Sequence, residues 1–121
     1  MPTEFESFGY EDLRTYLQNN WNWIAVVDDG NTEQLRWDVD ANANTSWTSG
    51  PASNPLTAEL TITGQDIVDA GGSLPVTLNR TETYKSSGAT TRTSTDTFTG
   101  ATLETTNDQV IISHDYEMPQ I

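Results

Sequence analysis

Oxygen-bearing side chains occupy every second position in residues 38–45, "DVDANANT". Asp38, Asp40 and Asn42 carry carboxylate and amide oxygens, the ligands that Ca²⁺ binds in proteins. An EF-hand loop also requires glycine at its sixth position and a bidentate glutamate at its twelfth. These positions hold Ala43 and Ser49, so the sequence excludes an EF-hand.

Two interpretations of this stretch remain. Asp38, Asp40 and Asn42 could form a looser calcium site. The alternative, which we favour, is structural, because the two acids alternate with Trp37 and Val39. Alternation of this kind places the acids on the solvent face of a β-strand, and asparagines are common in the turn that follows.

The single histidine lies in "SHDYE", residues 113–117. Successive side chains of a strand point to opposite faces, so His114 and Tyr116 would share one face, and Asp115 and Glu117 the other. The ionisable groups of this stretch therefore do not converge. We expect an exposed strand end here and no catalytic or metal centre.

Other chemical signatures are missing from the sequence. The chain has no cysteine, which excludes disulfides, thiolate metal sites and cysteine nucleophiles. It contains no G-x-S-x-G nucleophile elbow, and "GQDIVDAGG" lacks the G-K-[ST] of a phosphate-binding loop. We expect a protein without enzymatic activity and without a cofactor.

Charge is the strongest compositional signal. Eighteen acidic residues and five basic residues give a net charge of −13. Such a surface repels phosphates, so we expect no nucleic-acid partner. No apolar run approaches the ~20 residues of a membrane span, and the N-terminus lacks the pattern of a signal peptide, so we expect no membrane association. Because high salt would screen the self-repulsion, the acid-rich, lysine-poor composition resembles that of proteins from salt-in halophiles.

We expect residues 1–121 to form a single domain. The first half of this domain divides into three parts. Residues 7–20 have helical periodicity, with Leu13, Tyr16 and Leu17 on the expected buried face and Ser7 as the expected cap. Residues 21–40 predict a tryptophan-rich hairpin around the turn sequence "DDGN", with Trp21, Trp23, Ala25 and Val27 on one buried face of its first strand. Residues 41–56 predict a long loop, and Trp47 within it is either packed on the core or available to a ligand.

Residues 57–121 are β-rich. "TAELTIT" alternates cleanly, "GQDIVDAGG" predicts a tight turn or one helical turn, and "QVIISHDYEM" predicts a final strand. Both faces are polar around residues 80–107, which predicts a β-ribbon extending from the domain. We expect this ribbon to mediate contacts between copies of the chain through Arg80, Lys85 and Arg92. The fold class is α+β, mainly β, with the N-terminal helix packed on an antiparallel sandwich or barrel-like sheet.

In size, order of elements and composition, the whole chain resembles virion structural proteins of haloarchaeal tailed viruses. The N-terminal helix followed by hairpins is similar to neck and tail proteins such as tail terminators and head-completion proteins. The resemblance includes no diagnostic motif, so it transfers no functional residue. It implies a ring-forming component located in the virion, whose partners are copies of itself and other virion proteins. A capsid decoration protein is the alternative of the same class, and a small ligand-binding module using the Trp47 loop is the alternative of another class.

Overall fold

The structure, a computed structural model, describes residues 5–117 as two antiparallel sheets with two helices. The elements in chain order are α1 (Ser7–Asn20), β1 (Trp23–Asp28), β2 (Glu33–Asp38), β3 (Thr45–Ser49), β4 (Leu56–Thr63), α2 (Gly64–Asp69), β5 (Val76–Tyr84), β6 (Ser94–Leu103) and β7 (Gln109–Tyr116). One sheet has the order β2-β1-β5-β6 and the other β3-β4-β7. The predicted class, α+β and mainly β, is confirmed. No helix formed by residues 5–117 has the length and apolar character of a membrane span.

A single buried cluster takes side chains from both sheets. Strand β4 alternates as its sequence predicts, with the inward residues Leu56, Leu60 and Ile62 completely buried. They pack with Ile24 of β1 and Leu78 of β5, which belong to the other sheet. Because both sheets contribute to one core, the fold is a sandwich with its apolar layer between the sheets.

The predicted hairpin around "DDGN" is present. Asp28 Oδ1 accepts hydrogen bonds from the backbone N–H groups of Gly30 and Thr32 at 2.9 and 2.8 Å, and Asn31 adopts a positive φ of 65°. The pKa of Asp28 is lowered, chiefly by the hydrogen bond from Thr32. The turn is therefore held by a carboxylate that accepts backbone donors, as aspartates in tight turns commonly do.

The predicted buried face of β1 was only partly right. Ile24 and Val26 enter the core between the sheets, whereas Trp23 is partly exposed. Ala25 and Val27 are buried on the opposite face. Both faces of β1 are buried: one faces the core, and on the other Ala25 lies between its register partners Arg36 of β2 and Glu82 of β5.

Helix α1 spans the predicted residues, but of its predicted buried face only Leu17 packs against the core. Tyr10 and Arg14 are its buried residues, whereas Leu13 and Tyr16 are exposed. Arg14 Nε donates to the backbone oxygen of Pro51, which ties the helix to the β3–β4 connection, whereas its Nη1 is buried without a partner among the described residues. The predicted cap was also wrong, since Ser7 is the first helical residue.

The segment predicted as a loop, residues 41–56, contains strand β3. Its residues alternate in burial, and it pairs with β4 in the three-stranded sheet. Trp47 packs partly buried against the core, and its Nε1 donates to Asp40 Oδ1 at 2.9 Å. Of the two predicted roles for Trp47, the structure places this side chain on the core.

The polar segment around residues 80–107 forms a hairpin, but it does not extend from the domain as predicted. Strand β5 lies between β1 and β6, and Thr81 and Thr83 are completely buried. Strand β6 is the edge of its sheet. The prediction failed because it assumed that polar strand faces require solvent, whereas the Thr81 hydroxyl bonds to His114 and the Thr83 hydroxyl bonds to Thr93 and Ser94.

Candidate functional site

His114 is completely buried, contrary to the exposed strand end predicted for it. Its Nδ1 lies 2.6 Å from Thr81 Oγ1 and its Nε2 lies 2.9 Å from Ser94 Oγ. The Ser94 hydroxyl in turn lies 2.5 Å from Thr83 Oγ1. As predicted, His114 and Tyr116 share one face of β7, and their rings are in edge contact at 4.8 Å.

The imidazole of His114 is held in the neutral form. Burial lowers its pKa to about 4, although the charges of Asp96 and Asp115 oppose this shift. Each ring nitrogen already has a hydroxyl partner, and hydroxyls serve a neutral imidazole in either tautomer. These hydrogen bonds link β7 of one sheet to β5 and β6 of the other, and they therefore help to hold the two sheets together.

The predicted calcium ligands do not all come together. Asp38 and Asp40 converge on Asn22, whose Nδ2 donates to both carboxylates at 3.0 and 3.1 Å. Asn42 instead accepts the backbone N–H of Asn44 within its own turn. Within residues 5–117 no group of three or more histidine and acidic side chains is arranged to hold a metal ion. The favoured interpretation, in which these residues belong to a strand end and its turn, matches the observed hydrogen bonds.

Two of the three predicted contact bases are paired within the chain. Glu82 has a side chain that is only 7% exposed, and it forms ion pairs with Arg80 at 3.1 Å and Arg92 at 2.6 Å. Tyr84 OH also donates to Glu82. Burial disfavours the charge of Glu82, but these three hydrogen bonds outweigh it and lower the pKa of its carboxyl. Lys85 is exposed and forms no ion pair with a carboxylate of residues 5–117.

Helix α1 and Phe5, which precedes it, expose four large apolar side chains, a set that we call the α1 stripe. Its members and their exposed fractions are Phe5 (52%), Phe8 (77%), Leu13 (38%) and Tyr16 (49%). Sequence analysis assigned Leu13 and Tyr16 to the core instead.

Two grooves follow the gap between β6 and β7, which are adjacent edge strands of the two sheets. The first, which we call the acidic groove, has a volume of ≈460 Å³ and lies beside α1. It is lined by Leu17, Trp21, Ser94, Thr95, Asp96, Asp115, Tyr116 and Glu117. The second has a volume of ≈390 Å³ and lies between residues 96–101 and 110–115. Asp96 Oδ2 accepts the N–H of Asp115 at 2.9 Å and connects the two strands where the grooves meet.

The α1 stripe and the acidic groove share helix α1, which carries three members of the stripe and supplies Leu17 to the groove, where its C-cap residue Trp21 also lies. Together they form an exposed surface with apolar side chains and carboxylates. Exposed apolar side chains of this kind are a common feature of protein-binding surfaces. Comparison of the chain with protein-family models, with curated proteins and with solved structures found no match in any of the three.

Proposed function

We propose that the protein is a non-enzymatic structural subunit that assembles with copies of itself in high salt, as a neck or tail component of a haloarchaeal tailed virus. Its location in this proposal is the virion, and its partners are further copies and other virion proteins. The assignment to a virion rests on the resemblance in size, composition and order of elements. The proposal of self-assembly rests on the surface of the folded chain.

The observation that carries self-assembly is the α1 stripe. Phe8 is 77% exposed on a chain with a net charge of −13, and Phe5 and Tyr16 of the same segment are each about half exposed. Several large apolar side chains exposed within one short segment favour an interaction site, since their contact with water is unfavourable. Covering the stripe with a second subunit would remove this exposure.

The distribution of basic residues supports a second copy as the occupant. All five bases lie within residues 5–117, and only Lys85 and Arg92 are exposed. The surface is otherwise dominated by acids, so two copies repel one another unless these bases meet the acids of the neighbour. A contact that combines an apolar stripe with complementary charge satisfies both requirements.

The test compares two exposed apolar positions in solution at 2 M KCl. Phe8→Ser should weaken self-association roughly tenfold or more, since burying an aromatic side chain contributes about 1.5–3 kcal/mol. Val68→Ser on α2 is the matched control, because Val68 is also exposed (41%) but lies outside the stripe. Light scattering and sedimentation would measure the mass. A wild-type chain that stays monomeric at high concentration contradicts self-assembly.

The viral assignment has its own test. Mass spectrometry of purified particles of halophilic tailed viruses should detect peptides of this chain at the copy number of a ring component. Finding the chain only in uninfected cells would contradict the assignment to a virion and would leave the self-association result untouched.

A further inference from the structure

We infer that residues 85–92 of one copy, the basic loop, dock in the acidic groove of a second copy. Lys85 and Arg92 would then meet the carboxylates of Asp96, Asp115 and Glu117. This inference rests on the proposed self-assembly and specifies which parts of the two copies touch. Of the three predicted contact residues it retains Lys85 and Arg92. Arg80 is left out because it already contacts Glu82 and Asn31 within the chain.

The basic loop is held in shape before it binds. Arg36 Nη1 donates to the backbone oxygens of Ser86, Ser87 and Ala89 at 3.2, 3.2 and 2.7 Å. The guanidinium of Arg36 also lies 3.6 Å from the centre of the Tyr84 ring. The backbone of the loop is therefore fixed while Lys85 remains exposed. Docking a preorganised loop costs less conformational entropy than ordering a free one.

Arg92 can reach a neighbour without leaving a buried charge unpaired. Its side chain is 56% exposed although it contacts Glu82. If Arg92 turned toward a second copy, Glu82 would keep the hydrogen bonds from Arg80 and Tyr84. The buried carboxylate would then still have two donors, so the large penalty of an isolated buried charge does not arise.

The carboxylates of the acidic groove keep part of their hydrogen-bonding capacity. Asp96 Oδ2 accepts the N–H of Asp115 and Asp115 Oδ1 accepts the hydroxyl of Thr57, so each of these two carboxylates uses one of its oxygens in these bonds. Glu117 and Asp115 are exposed at the groove. Its floor includes Leu17 and Trp21, which offer apolar contact to the methylene stems of lysine and arginine. The groove is thus concave, acidic and partly apolar, and it matches the chemistry of the loop.

Variants that reverse the charge of single residues distinguish docking of the loop in the groove from the general repulsion between acidic copies. Lys85→Glu should weaken self-association roughly tenfold by placing like charges together. Glu117→Lys should also weaken it, although this change makes the chain less acidic and would favour association if only overall repulsion mattered. Asp69→Lys on α2 has the same charge change and serves as the control, since it lies outside the groove. The double variant Lys85→Glu/Glu117→Lys should recover the wild-type affinity.

Cross-linking tests the same contact directly. The chain has no cysteine, so the variant Lys85→Cys/Glu117→Cys should form disulfide-linked multimers under mild oxidation, whereas Lys85→Cys/Asp69→Cys should not. Lys85 and Glu117 are both exposed, and circular dichroism would verify that each variant is folded. A monomeric wild-type chain would overturn both this inference and the self-assembly beneath it. An oligomer that Lys85→Glu and Glu117→Lys leave unchanged would overturn the docking alone.

Discussion

His114 Nε2 and Ser94 Oγ lie 2.9 Å apart and connect strands that belong to different sheets. The opposite ring nitrogen contacts Thr81, so one neutral imidazole links three strands inside the sandwich. Proton uptake by this ring would place a positive charge in a site that excludes water. The stability of the fold should therefore depend on the ionisation of one residue.

We predict that acidification destabilises the chain through His114. Its pKa is about 4 when folded, because burial disfavours the imidazolium, and near 6.5 when unfolded. Below pH 6.5 the unfolded chain binds the proton more readily, so stability falls with pH until about pH 4. Between pH 7 and pH 5 the loss should be about 2 kcal/mol.

Urea unfolding at several pH values, with KCl held at 2 M, would measure this loss. His114→Gln should have a lower free energy of unfolding at neutral pH and a much smaller decrease between pH 7 and pH 5. His114 is the only histidine, so no other imidazole contributes to the slope. If the variant and the wild-type chain lose equal stability over this interval, the interpretation is incorrect.

Elements with a strong local pattern were predictable from the sequence. The alternation of β4 and the turn around Asn31 specify their structures through burial and backbone conformation within a few residues. The first and last residues of α1 were also predicted correctly from the local sequence pattern. The candidate site depends on contacts between distant residues, and these carry a weaker sequence signal.

The errors at His114 and Arg14 have a common physical cause, which is that polar groups can be buried when they find partners far along the chain. His114 was expected at the surface because its neighbours in the sequence are polar, yet its partners Thr81 and Ser94 lie about 33 and 20 residues away. Arg14 was not placed in the buried face of α1 for the same reason, since its Nε donates to distant Pro51, although its Nη1 is buried without a partner among the described residues. No local pattern reveals partners that far along the chain.

Removing the carboxylate of Glu82 should destabilise the fold. Glu82→Gln leaves Arg80 and Arg92 without their anionic partner on a largely buried side chain, and we expect a loss of about 2 kcal/mol. Glu33→Gln has the same charge change but affects a more exposed pair with Arg36, so about 0.5 kcal/mol or less should be lost. Unfolding by urea in 2 M KCl would measure both. Equal losses would contradict a special role for Glu82.

Calcium should not stabilise the chain. Asp38 Oδ1 accepts from Asn22 and from the N–H of Asp40, and the two oxygens of Asp40 accept from Trp47 and Asn22. A calcium ion would have to displace these donors. Melting temperatures in millimolar CaCl₂ and millimolar MgCl₂ should therefore agree. A rise of several degrees with calcium alone, abolished by Asp40→Asn, would instead establish the looser calcium site.

Salt should stabilise the fold by screening repulsion among its carboxylates. The net charge is −13, and acids such as Glu11, Asp69 and Glu104 are exposed on different parts of the surface. At 0.1 M salt their fields extend about 10 Å, whereas at 1 M they extend roughly 3 Å. Circular dichroism during thermal unfolding should therefore show a higher melting temperature in 2 M KCl than in 0.1 M KCl.

Salt also stabilises proteins by exclusion from their surface, and a charge variant distinguishes this cause from screening. The triple variant Glu11→Lys, Asp69→Lys and Glu104→Lys reduces the negative charge at exposed positions outside the acidic groove. With less repulsion to screen, it should gain less stability from KCl than the wild-type chain and should be more stable at 0.1 M. An equal gain in both chains would indicate exclusion. A wild-type chain equally stable at both concentrations would remove the support that charge gives to a high-salt habitat.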